Sequence, residues 1–173
     1  MRKQPGIERN PTIFSCDTAE MLTVLSVSPL GDDYLSLQAI VGHSKWTVFN
    51  ARNLMSALAL LQQYEIAVIL CERDLLPGTY VDLLEHLDAL TNAPSLIVTS
   101  RLADERLWAE ALNLGAWDVL AKPFDRNEVL RSVKAGWQHW HDQGELQTDR
   151  IQQRMARSEP TVSPSKEIGR AHV

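Results

Sequence analysis

Five short apolar runs, each followed by a segment whose apolar residues recur at helical spacing, limit what this chain can fold into. The runs are Leu22–Val27, Trp46–Phe49, Ile66–Cys71, Ser95–Thr99 and the stretch around Val119. Between them, Leu35, Leu37, Ile40 and Val41 form one helical stripe closed by Gly42, and Leu54, Ala57, Leu58 and Leu61 form a second. Leu83, Leu84, Leu87 and Leu90 follow the loop of Pro77 and Gly78, and Asp104 to Leu114 is stopped by Gly115. A last helix is expected from about Asp125 to about Trp140. Ile66 to Cys71 has no polar interruption, as a strand covered on both faces requires. Strictly alternating strands and helices demand an α/β fold with a parallel sheet and helices on both faces.

A chain of 173 residues has room for one such domain and its flanks. Residues 1–20 are polar and broken by Pro5 and Pro11, so they read as a flexible arm, with the domain proper over 21–141. Residues 142–167 read as a polar tail, either helical or disordered. Leu146, Ile151 and Met155 give it one weak apolar seam, and Pro160 and Pro164 give it linker composition. The last six residues, 168–173, look like one reading frame of a common sequencing adapter and are set aside from fold reasoning, which leaves open an output domain beyond residue 167.

A net charge of −5 with no basic cluster speaks against nucleic-acid binding by this domain. Two cysteines, no secretory signal and no apolar stretch of about twenty residues point to a reduced, cytoplasmic setting away from membranes. Cys71 closes an apolar run and lacks the Cys-to-Arg spacing of a phosphate cradle, so it reads as a buried structural thiol. His139 and His141 are too close in sequence to share a helical face, and the other histidines are scattered, so no metal site is expected. Nucleotide-binding glycine motifs are absent.

Ligand sites of open parallel sheets gather at the carboxyl ends of the strands. In this chain those ends supply Ser28 and Pro29 after the first strand, Glu72, Arg73 and Asp74 after the third, Thr99 and Ser100 after the fourth, and Lys122 after the fifth. A lysine buried at such an edge needs a carboxylate or a phosphate to answer it. A carboxylate, a hydroxyl and an ammonium on one edge are also the groups that can hold a phosphoryl group.

The order of elements, with the segments VILCERDLLPG, VTS and LAKPF, resembles a bacterial response-regulator receiver domain over roughly residues 22–140. The resemblance implies a sheet in the order 2-1-3-4-5, a role in two-component phosphorelay signalling without enzymatic turnover, and a sensor histidine kinase or an output protein as partner. It also implies a pocket in which Thr99 and Lys122 hold the phosphoryl oxygens.

The departures from that family are specific. A receiver ends its first strand with adjacent acids that hold magnesium, whereas this chain has Ser28 and Pro29, with Asp32 and Asp33 only later. Those two read as first-turn acids that suit a helix N-terminus, or as displaced metal ligands if the loop folds back. A receiver places its acceptor aspartate at the end of strand three, four residues before a proline. Counting from Pro77 gives Arg73; counting from the strand gives Glu72, the acceptor-equivalent chosen here, with Asp74 as the alternative. The extra methylene of Glu72 is expected to push its carboxylate toward Lys122 and Thr99, holding the domain in something like a switched state.

The expected function is therefore an atypical receiver, or pseudo-receiver, acting by protein–protein contact with no cofactor. The alternative is a phosphotransfer-competent receiver using Asp74, Asp32 or Asp33 with magnesium; a small α/β enzyme on the same edge is a third reading. The partner-binding face is expected on the fourth and fifth helices with the fifth strand, around Trp108, Trp117 and Val119, and could serve a homodimer. Val119 stands where receivers place a mobile aromatic residue. Trp137 and Trp140 either join that face or cover helix–sheet junctions.

Overall fold

The computed structural model describes residues 21–158. Its elements alternate along the chain: β1 (Thr23–Val27), α1 (Gly31–Val41), β2 (Thr47–Ala51), α2 (Leu54–Gln63), β3 (Val68–Glu72), α3 (Tyr80–Leu87), β4 (Ser95–Ser100), α4 (Glu105–Asn113), β5 (Asp118–Ala121) and α5 (Arg126–Arg157). The five strands form one parallel sheet in the order β2-β1-β3-β4-β5, the order the resemblance implies.

The sheet separates two apolar layers because alternate residues of a strand face opposite sides. Leu25, Val27, Ile69, Cys71, Leu96, Val98 and Val119 face one side, where Ala57, Leu83, Leu87, Leu107 and Ala111 meet them from α2, α3 and α4. Val24, Val68, Leu70, Ile97 and Leu120 face the other, beneath Leu37 of α1 and Val129 and Val133 of α5. Central β3 is buried at every position, which is why its sequence reads as an unbroken apolar run. Local chemistry fixes the helix starts: Asn53 and Thr79 form reciprocal capping boxes, and Asp104 and Asp125 accept from backbone N–H groups of the first turns of α4 and α5. Gly115, at φ +105°, turns the chain from α4 into β5 in a conformation that L side chains rarely adopt.

Three expectations need correction. Leu35 points to solvent, because α1 packs through Leu37 and Val41. Leu90 lies beyond α3 and is exposed. The last helix continues past Trp140 and ends at Arg157. No proline interrupts it, and contacts to the turn before β4 support its middle. Trp140 Nε1 donates to the Asn92 carbonyl at 3.4 Å, and Gln147 Nε2 donates to the Thr91 carbonyl. Gly144 lets Asn92 come close: a Cβ there would lie 3.2 Å from Asn92 Nδ2. Arg154 and Arg157 suit the negative end of the helix dipole. Leu146, Ile151 and Met155 remain exposed. The expected arm at 1–20 and the tail beyond Ser158 lie outside the described residues.

Where α5 crosses β4, the Ser95 hydroxyl donates to the Gly136 carbonyl at 2.7 Å, and a Cβ on Gly136 would stand 3.2 Å from both Ser95 Cβ and Trp117 Cδ1. Gly136→Val should therefore overpack this crossing and lower stability by about 1–3 kcal/mol. Urea unfolding followed by far-UV circular dichroism checks this, and an unchanged midpoint would contradict the crossing.

Candidate functional site

Parallel register brings the strand ends to one edge. Glu72 is paired with Thr99 across β3 and β4, Val27 with Cys71 across β1 and β3, and Ser100 with Ala121 across β4 and β5. Ser28 and Lys122 therefore follow directly beyond the ends of β1 and β5. Backbone bonds extend the ladder to both: Ser28 N–H donates to the Ala51 carbonyl and Lys122 N–H to the Ser100 carbonyl, each at 3.0 Å.

The Lys122 ammonium lies between two carboxylates. It donates to Asp33 Oδ2 at 2.8 Å and forms an ion pair with Glu72 Oε2. Asp33 Oδ2 also accepts the Ser28 hydroxyl at 2.6 Å, while Ser28 Oγ accepts the Leu30 N–H at 3.1 Å. The side chains of Lys122, Glu72 and Asp33 are only 5%, 11% and 12% exposed, so water screens these attractions little. Two carboxylates and one ammonium leave one net negative charge. Thr99 is buried and paired with Glu72 in register, so the sheet sets Glu72, Thr99 and Lys122 along one edge, with the ion pair joining Glu72 to Lys122.

The other acids divide. Asp74 turns outward and is gripped by Arg73, with Nη2 at 2.8 Å and Nε at 3.1 Å from Oδ2. That hydrogen bond, with the charge behind it, raises the Arg73 pKa further; the pair is exposed and contributes about 0–1 kcal/mol. Asp32 is exposed at the mouth of a cleft of ≈ 270 Å³, shared with Asp33, Ser36, Arg101, Lys122 and Phe124. Between Glu72 and Pro77 the chain holds one residue more than the spacing the resemblance implies, and exposed Leu76 takes φ 39°, a costly conformation for that side chain.

Of the two displaced acids, the structure brings Asp33 into the pocket, and it adds Ser28 beside it. The adjacent pair Asp32-Asp33 was the available signal, but a first-turn position has an ordinary explanation in the helix dipole. Only the fold reveals a partner 89 residues away.

On the α4–β5–α5 side, Trp108 is 45% and Trp117 36% exposed, and the Trp117 ring stacks on His139 at 4.6 Å between centroids. Val119 is different: it points into the core and gives that face no surface. Trp137 and Trp140 pack against the α1–α5 layer and so cover a helix–sheet junction, with Trp137 beside His141.

Residues 34–134 match the family described as the response regulator receiver domain. The transcriptional regulatory protein CrdR of Helicobacter pylori is 31% identical over 110 residues, covering 61% of this chain and 51% of that protein. The chain thus spans about half the length of this curated relative. A signal receiver domain of an HD domain-containing protein from Pseudomonas fluorescens Pf-5 is 25% identical, with a TM-score of 0.66 over 72% of this chain and 93% of that one. A receiver domain of a putative LuxO repressor protein from Vibrio parahaemolyticus shares the fold at 17% identity, with a TM-score of 0.67 over 73% of this chain and 97% of the other.

Burial, with the nearby Glu72 charge, pushes the Cys71 thiol pKa well up, and its Sγ lies 3.3 Å from the Glu72 carbonyl. In a Cys16→Ser background, Cys71 should resist Ellman's reagent at pH 8 in the folded protein and react promptly in urea. Fast labelling of the folded protein would reopen the thiolate reading.

Proposed function

Since the chain belongs to the response regulator receiver domain family, a family of two-component signalling, we propose that it works as a receiver held in one state, acting by protein contact without phosphoryl transfer. The observation that carries this reading is the commitment of Lys122. Its ammonium, which in a receiver would meet a phosphoryl oxygen, is bonded to Glu72 and Asp33 behind side chains that admit little water. Three further features support it. The acceptor place holds a glutamate, whose carboxylate already extends to the lysine. Ser28 and Pro29 stand where an acidic pair would hold magnesium. Asp74, the alternative acceptor, faces solvent with Arg73.

Asp33 gives the competing reading one argument, since a displaced acid does reach the pocket. Its Oδ2 is occupied by Ser28 and Lys122, which favours a structural role over metal or phosphoryl chemistry. A magnesium ion is poorly matched by these residues. It wants an octahedral set of hard oxygens, and the two converging carboxylates are already neutralised in part by an ammonium.

Output is assigned to the α4–β5–α5 face, where exposed Trp108 and Trp117 are the aromatic anchors that binding hot spots favour. The partner class is a signalling protein, either a sensor kinase, an output protein or a second copy of this chain. Among the described residues no helix is long and apolar enough to cross a membrane.

Titration with magnesium and beryllofluoride should leave amide resonances at Glu72, Thr99 and Lys122 and the tryptophan fluorescence unchanged. Saturable, magnesium-dependent shifts there would restore the phosphotransfer reading. Trp108→Ala combined with Trp117→Ala should weaken partner binding or self-association by about 2 kcal/mol or more, measured by calorimetry or sedimentation. Unaltered affinity would move the output face elsewhere.

A further inference from the structure

We infer that Lys122 is the resident cation of the pocket, and that Asp33, delivered from α1, is the positioning residue that holds it in the place of a divalent ion. The inference rests on the pocket reading above and deepens it. A divalent site requires several hard oxygen donors turned toward one point. This edge turns the oxygens of two carboxylates toward one point, and an ammonium is at that point: Asp33 Oδ2 lies 2.8 Å from Lys122 Nζ, and Glu72 Oε2 pairs with the same nitrogen.

The neighbouring oxygen is engaged as well. Ser28 Oγ donates its proton to Asp33 Oδ2 at 2.6 Å and accepts the Leu30 N–H at 3.1 Å. A hydroxyl used in this way ties Asp33 to the end of β1 with its proton and one of its two lone pairs. A second cation entering the cluster would meet the buried ammonium at close range, where like charges repel strongly because little water intervenes. Glu72 supports the same arrangement: among the described residues, the Lys122 ammonium is the one polar partner of its buried Oε2.

The arrangement differs from simple loss of a metal site. An acid pair at the end of β1 would have to be answered by a cation from solution. Here the acid comes from the first turn of α1 and is answered by a cation carried in the chain. The pocket then stays in one arrangement at any divalent-ion concentration. Removing the ammonium would leave two buried carboxylates pointing at a common space, which is the demand that a divalent ion meets.

The test uses Mn²⁺ alone on the full chain, read as paramagnetic broadening of individual amide resonances. A residue-resolved readout is needed because His141, Asp142 and Glu145 lie close together on α5 and could attract the ion independently. The wild-type protein should show no selective broadening at Asp33, Glu72 and Thr99 in millimolar Mn²⁺. Lys122→Met, or Lys122→Gln if the first variant folds poorly, should bind Mn²⁺ there about tenfold more tightly or better. Adding Asp33→Asn to either variant should abolish the gain. Selective broadening of the wild-type pocket in millimolar Mn²⁺ would overturn the inference, and this outcome is read on the wild type even if neither variant folds. The two readings fail separately. A wild type that takes up beryllofluoride without any divalent ion would defeat the phosphorylation-independent function and leave the resident cation in place. Mn²⁺ uptake at the pocket without a beryllofluoride response would do the reverse.

Discussion

An ammonium shut away from water must be met by negative charge, and the pocket is organised around that requirement. Lys122 is buried because it directly follows β5, with its N–H on the Ser100 carbonyl. From there its side chain reaches β3 and α1, with 5% of it left exposed in the cleft beside Asp32. Glu72 answers it from the last residue of β3, and Asp33 from the first turn of α1. The network therefore ties three elements that are distant in sequence, and the Ser28 hydroxyl adds the end of β1 as a fourth. Buried ion pairs are a weak source of net stability, because desolvation cancels most of their attraction. What they enforce is placement: removing one member leaves an unanswered charge, at a cost of about 3–5 kcal/mol.

Much of this was legible from residue order. Apolar runs and helical stripes located the strands and helices of the described residues, and the unbroken run of β3 announced its central place. Glu72, Thr99 and Lys122 could be brought together because a parallel sheet puts all strand ends on one side. Asp33 stayed between two readings, since its position also suits the helix dipole and nothing local distinguishes that role from a bond across the fold. Leu35 shows a related limit. A helix of mixed polarity offers more than one apolar stripe, and the sheet beneath α1 selects Leu37 and Val41. Val119 was placed on a surface by analogy with a larger residue, yet strand periodicity alone sends it inward beside Val98.

The tryptophans show how one residue type serves two physical ends. Trp137 and Trp140 lie over the α1–α5 layer, where ring area is gained by covering apolar neighbours. Trp108, on α4, and Trp117, just before β5, remain partly in water. Trp117 is nonetheless held: His139 stacks on one side, and its Cδ1 approaches the space above Gly136. A ring fixed in this way loses little conformational freedom when a partner covers it, so the entropic cost of binding is low.

The length of α5 has a mechanical meaning. At 1.5 Å per residue, its 32 residues make a rod of roughly 48 Å. The rod is rooted in the core at Val129 and Val133, a short distance from the pocket lysine, and its far end carries Arg154 and Arg157. It is held again at Trp140 and Gln147, so its last ten residues, 148–157, form an arm of roughly 15 Å beyond these supports. The direction of α5 up to Arg157 is set jointly by its seat on the sheet and by the turn before β4.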